Sequence, residues 1–165
     1  MVLEKKFLSK VMERIGVFSV EEVLPYVPSE VSFVKNGISP KKKYAGEMVS
    51  MGVLKMRLFA QKGVVCARCG IEGKWFILER HPKNSNKEKY HFNLYAEKDG
   101  HLTLMTKDHI FPRCFGGTTD FDNLQVMCAD CNVKKSNIVP SRFAEKLENF
   151  KNLKKTEQSE QLALK

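Results

Sequence analysis

Apolar residues near the start of the chain recur at Leu3, Phe7, Leu8, Val11, Met12 and Ile15, the spacing of a helical stripe that Gly16 ends. Ser19 and Glu22 then predict a capping box opening a short helix, with Pro25 as its stop. From Val27 to Gly37 the pattern is ambiguous, and Val31, Phe33 and Ile38 fit a strand. Ser39-Pro40 predicts a helix start, with proline at the first helical position. That helix would run through Lys41–Lys43 to about Gln61, weakened by Gly46 and Gly52, with Lys62-Gly63 as the stop. Val64–Gly70 reads as a strand entering a cysteine knuckle, and Trp75–Glu79 as the return strand. His81–Lys89 is polar and lysine-rich, a solvated loop. Phe92–Ala96 alternates, and Lys98-Asp99-Gly100 supplies a hairpin turn into His101–Thr106. A last helix from about Ser141 lines up Phe143, Leu147, Phe150 and Leu153 and frays from Lys154 onward.

The 165 residues make one domain, or one domain with a helical extension. At 42% apolar content the chain can bury a core, yet no stretch approaches the ~20 apolar residues of a membrane span. Met1-Val2-Leu3-Glu4-Lys5-Lys6 has no apolar signal core, which predicts a cytoplasmic protein without a membrane partner. A formal charge of +9 and a pI near 9.3 favour a polyanionic partner, against the plainer reading of solubility alone.

Five cysteines form two C-x-x-C pairs, Cys66/Cys69 and Cys128/Cys131, with Cys114 left over. An odd count argues against a disulfide framework, whereas a two-residue gap lets one tight turn offer two thiolates to one ion. A four-cysteine site of this kind is closed, so its Zn²⁺ would be structural, tying the upstream hairpin to the Cys128–Lys135 turn. The plain alternative is four buried thiols acting as small hydrophobes.

Between the pairs lies Asp108-His109-Ile110-Phe111-Pro112-Arg113, followed by Gly116-Gly117 and Asn123-Leu124. An imidazole at a strand end is neutral enough near pH 7 to take a proton from water, which suits His109 as a general base. Asp108 offers a hard carboxylate oxygen to Mg²⁺, and Asn132, directly after Cys131, aims its side-chain oxygen at the same ion. Neighbours on a regular strand face opposite ways, so the strand must bend or end here, where Pro112 stands close by. Asn123 is the brace that pins the loop and orients the imidazole. Each has a duller structural reading, such as a turn cap for Asn123.

Taken together, residues 64–136 resemble an HNH endonuclease of the ββα-metal class, in a phage-type arrangement with a zinc staple. The resemblance rests on Cys66, Cys69, Asp108, His109, Ile110, Pro112, Arg113, Gly116, Gly117, Asn123, Leu124, Cys128, Cys131, Asn132 and Lys135. It implies His109 as base, Asn123 as its orienting residue, and Asp108 and Asn132 as ligands of a catalytic metal. The last letter of the name-giving motif, often histidine, is here Asn132; this His-Asn-Asn form is similar to the nuclease domain of RNA-guided CRISPR enzymes, with intervals of 14 and 9 residues. Exchanging imidazole for a carboxamide oxygen hardens the site towards Mg²⁺ or Mn²⁺. The implied products are a 5′-phosphate and a 3′-hydroxyl.

Lys107, Arg113, Lys134 and Lys135 flank the centre and suit phosphate contacts that position a duplex without reading its bases. Lys5/Lys6, Lys41–Lys43 and the Lys83–Lys89 loop are further candidates. The expectation is therefore an α+β chain with an N-terminal, mostly helical extension at 1–62. A zinc-stapled ββα nuclease core at 63–140 follows, then a C-terminal helix and tail at 141–165. It would act on double-stranded DNA as a monomer or homodimer, as a homing, restriction or other mobile-element nuclease. The rival readings are a non-catalytic zinc-containing DNA-binding module and a nuclease directed at RNA.

Overall fold

The computed structural model describes residues 12–28, 39–81 and 89–163, with the backbone alone from residue 158. Most of the first helical stripe, the 29–38 segment and most of the lysine-rich loop lie outside the described residues. Five strands form the main sheet in the order β1-β4-β5-β6-β7: Glu13–Ser19, Gly73–Arg80, His91–Lys98, His101–His109 and Leu124–Cys128. All its pairings are antiparallel. A separate hairpin joins β2 (Lys41–Tyr44) to β3 (Glu47–Ser50). The helices are α1 (Val20–Val23), α2 (Leu54–Lys62), α3 (Ala129–Lys135) and α4 (Ala144–Ala163). Among the described residues no helix is long and apolar enough to cross a membrane.

Two helical expectations are overturned. The end of the first apolar stripe is strand β1, because Ile15, Val17 and Phe18 find an edge to pair with on β4. The register shifts between Arg14 and Gly16, and a Cβ at Gly16 would come within 2.7 Å of the Phe18 ring. Likewise Ser39-Pro40 leads into the β2–β3 hairpin and not a helix. Ala45 and Gly46 both take positive φ (46° and 88°), the backbone of a tight two-residue hairpin turn. The described part of the N-terminal extension is thus not mostly helical: it holds three strands, one of them in the main sheet.

Val64–Gly70, expected as a strand, forms only an isolated bridge from Val65 to Glu72 before its turn, while several other elements fall where the pattern puts them. The Ser19–Glu22 capping box is formed in both directions, and α1 gives way to a 3-10 turn through Pro25. Helix α2 ends at Lys62, before Gly63 at φ 81°. The β5–β6 hairpin turns on Asp99 and Gly100, also both at positive φ. Helix α4 follows a 3-10 turn at Ser141–Phe143 and, against the fraying expected from Lys154, continues to Ala163.

Alternation on β4 and β5 turns Phe76, Leu78, Phe92, Leu94 and Ala96 to one face, all buried. α2 covers them through Met56, Leu58 and Phe59, and the hairpin through Tyr44 and Val49. Tyr44 meets Phe18 and Phe92 edge to face, at centroid distances of 5.1 and 4.9 Å. On the other face Glu79 is fully buried. It accepts hydrogen bonds from Arg14 Nε (2.8 Å), Asn93 Nδ2 (2.6 Å) and the Tyr95 hydroxyl (2.7 Å). Burial, reinforced by the Glu79 bond, pushes the Tyr95 phenol up to about 12. Lys55 of α2 donates to Asn93 Oδ1, and burial lowers its ammonium against the pull of Glu79.

Glu79→Ala removes the acceptor shared by those three donors. It is expected to cost about 3–5 kcal/mol of stability, the usual penalty for breaking one side of a buried ion pair, read from urea denaturation.

Candidate functional site

Two clusters of chemistry flank the β6–β7 ladder. The first is sulfur. Gly70, at φ 73°, closes a turn in which Cys66 N–H bonds Ile71 O at 2.9 Å and Gly70 N–H bonds Cys66 O at 3.0 Å. The Ala67 N–H then fastens this knuckle to Val126 O of β7 at 2.8 Å. Cys128 caps α3 and Cys131 lies in its first turn. The four Sγ atoms fall within 4.8 Å of one another, with Cys69 and Cys128 3.8 Å apart. A tetrahedral zinc with ~2.3 Å bonds to sulfur has an edge of about 3.8 Å, so these thiols are spaced to hold one zinc ion. Burial raises the Cys66 thiol, but backbone N–H donors of Cys128, Cys69 and Arg68 outweigh it and bring it down to about 6. Burial and the crowded sulfurs push Cys131 up to about 12.

The second cluster surrounds a cavity of about 330 Å³ whose wall includes Lys107, Asp108, His109, Arg113, Asn132 and Lys135. Strand β6 ends at His109, and this lets two neighbouring residues serve one cavity. Asp108 lies opposite Gln125 in the ladder and accepts its Nε2 at 2.7 Å. Lys135 reaches Asp108 at 3.1 Å and His109 O at 2.8 Å. Asn132 donates Nδ2 to Thr106 Oγ1 at 3.0 Å and lines the cavity. Ser136, left-handed at φ 46°, ends α3 and turns the chain along the same wall.

His109 Nε2 lies 3.2 Å from Thr119 Oγ1. Its imidazole is lowered from the ordinary 6.5, first by burial, then by the positive charges of Lys107 and Arg113, while Asp108 pulls the other way. Asn123 clasps the loop: Oδ1 accepts the Phe111 N–H at 2.8 Å, and Nδ2 donates to Phe111 O at 3.0 Å and Thr118 O at 2.7 Å. Its side chain holds the backbone on either side of the glycine turn, and the imidazole's hydrogen-bond partner is Thr119. Lys134 is exposed on α3 and stands outside the cavity wall. Cys114, the unpaired thiol, is exposed on that wall.

Support for the loop arrives from both ends of the chain. Lys62 Nζ, at the end of α2, donates to Phe121 O and, at 2.8 Å, to Leu124 O. The buried Arg57 guanidinium lies 5.0 Å from the Phe121 ring centre. On the other side Phe143 packs on Phe111 and Phe150 on Phe115. Sequence reasoning missed Thr106, Thr119, Gln125 and Lys62. Gln125 was the one within reach, since a β6–β7 pairing places it across from Asp108.

Residues 95–148 match the family model described as HNH endonuclease. No curated protein and no solved structure matches the chain.

Two variants test the construction of the site. A Cβ at Gly117 would lie 2.0 Å from Phe111 O, so Gly117→Ala must displace the backbone that Asn123 clasps. A loss of about 1–3 kcal/mol is expected in thermal or urea unfolding, as for other overpacked positions. Cys128→Ser is expected to lower bound zinc and the melting temperature together; an unchanged melt with full zinc loss would contradict the clasp.

Proposed function

We propose that the protein hydrolyses phosphodiester bonds in double-stranded DNA, a reading supported by the match of residues 95–148 to the HNH endonuclease family model. His109 acts as general base, and Asp108 and Asn132 hold a Mg²⁺ or Mn²⁺ ion. The observation that carries this reading is the convergence of an imidazole, a carboxylate and a carboxamide on one cavity edged by Lys107 and Arg113. The donor set suits a hard cation: a carboxylate oxygen from the end of β6 and an amide oxygen from α3. Such an ion, when bound, supplies charge neutralisation at the scissile phosphate and at the leaving oxygen.

The chain's own residues do the rest. Burial and the adjacent cations keep His109 neutral at pH 7, so it can take a proton from an attacking water. Thr119 fixes the ring at Nε2, and the Asn123 clasp fixes the loop that carries Thr119. Lys107 and Arg113 suit phosphates on either side of the break, without reading sequence. Cys66, Cys69, Cys128 and Cys131 would hold a zinc ion that keeps α3 in place, and with it Asn132.

Relaxation of supercoiled plasmid in Mg²⁺ tests this. His109→Ala is expected to lower the rate by about 10²–10⁴-fold, the range for loss of a general base, while zinc content and band-shift affinity persist. Binding without nicking would make the protein a DNA-binding module, and cleavage confined to structured RNA would change the substrate. The pH profile has a definite sign. A lowered imidazole loses its proton earlier as pH rises, so cleavage should climb to a plateau with a midpoint below 6.5. Lys107→Ala should move that midpoint up; an unmoved midpoint would assign the titration to another group.

A further inference from the structure

Lys135 does not stand on the cavity rim as a free positive charge. From the last turn of α3 it points inward with its side chain 11% exposed, its ammonium 3.1 Å from the Asp108 carboxylate and 2.8 Å from His109 O. Asp108 is itself only 7% exposed, and its other donor is the neutral Gln125. A carboxylate this far from water needs a positive partner, and Lys135 provides one. An ammonium has donors and no lone pair, so it cannot join a cation's ligand sphere; at this distance it can only repel the ion.

If Asp108 is a metal ligand, as the proposed function has it, Lys135 and a divalent cation compete for the same two oxygens. We propose that Lys135 is a resident counter-ion of Asp108, which holds the carboxylate in place and must yield to a divalent cation. Its bond to His109 O ties the same ammonium to the end of β6, so the exchange also bears on the strand residue that carries the base. The role differs from that of Lys107 and Arg113, whose charges line the wall without a carboxylate partner among the described ion pairs.

The test is Mn²⁺ binding to the zinc-loaded full chain, followed by calorimetry and by the spin resonance of the free ion. Lys135→Met should bind Mn²⁺ about tenfold more tightly than the unaltered protein, as expected for removal of a like charge a few ångströms away, and should melt lower without Mn²⁺. Lys135→Arg, which keeps the charge, should not tighten binding. Asp108→Asn should abolish it and so identify the site. Equal or weaker Mn²⁺ affinity in Lys135→Met, with binding still lost in Asp108→Asn, overturns the counter-ion and leaves the proposed function standing. Mn²⁺ that binds neither protein at Asp108 overturns both. Should Lys135→Met not fold, the Lys135 ammonium resonance, assigned through Lys135→Arg, replaces it. That signal is expected to shift with the midpoint of Mg²⁺ binding, and a resonance unmoved at saturation defeats the proposal.

Discussion

The candidate site is built around one antiparallel ladder, the pairing of β6 with β7. Met105 opposite Cys128 sets where a sulfur stands; Asp108 opposite Gln125 sets where the carboxylate stands; His109 opposite Leu124 closes the ladder. Side chains alternate along a strand, so a slip of one residue would turn Asp108 away from α3 and carry Gln125 with it. The ladder needs defence, and has it along its length. The Ala67 N–H bond to Val126 O ties the cysteine knuckle to the middle of β7, and past the His109 end Ile110 N–H bonds Asn123 O. Towards the Cys128 end Thr106 Oγ1 adds a bond to Met127 O.

Helix α3 is where the two chemistries meet. Cys131 and Asn132 are adjacent, so the helix rotation that places one sulfur also places the carboxamide, and one turn on Lys135 reaches Asp108. A seven-residue helix has little stability of its own in water. The sulfur cluster at its start and the ion pair at its end together supply what its length does not.

The grouping of the candidate site residues was more legible in the sequence than the architecture around them. Paired cysteines, Asp108-His109, Asn123 and Asn132 stand out through residue type and spacing, and the structure gathers the four sulfurs together, sets Asp108, His109 and Asn132 on one cavity and puts Asn123 on the adjoining loop. The Ser19–Glu22 cap and the Asp99-Gly100 turn are equally local and were equally readable. Glu13 to Ile15 was misread because strand pairing with Arg80 and Glu79 is a long-range fact that no local period records. The β2–β3 hairpin was misread because Pro40 suits a helix start and a strand entry alike, and only Ala45-Gly46 decides between them. Lys135 showed its charge in the sequence but not its direction, which depends on where α3 sits against β6.

The loop that carries Asn123 is held by Lys62 and Arg57 from α2, and two of the four sulfurs come from Cys66 and Cys69. All four of these residues precede the stretch 95–148 that bears the family's imprint. The recognisable segment is therefore no transplantable cassette. Cut free and spliced into another scaffold, it would arrive with half a metal clasp and an unbuttressed loop, so any chimera must bring the upstream half along.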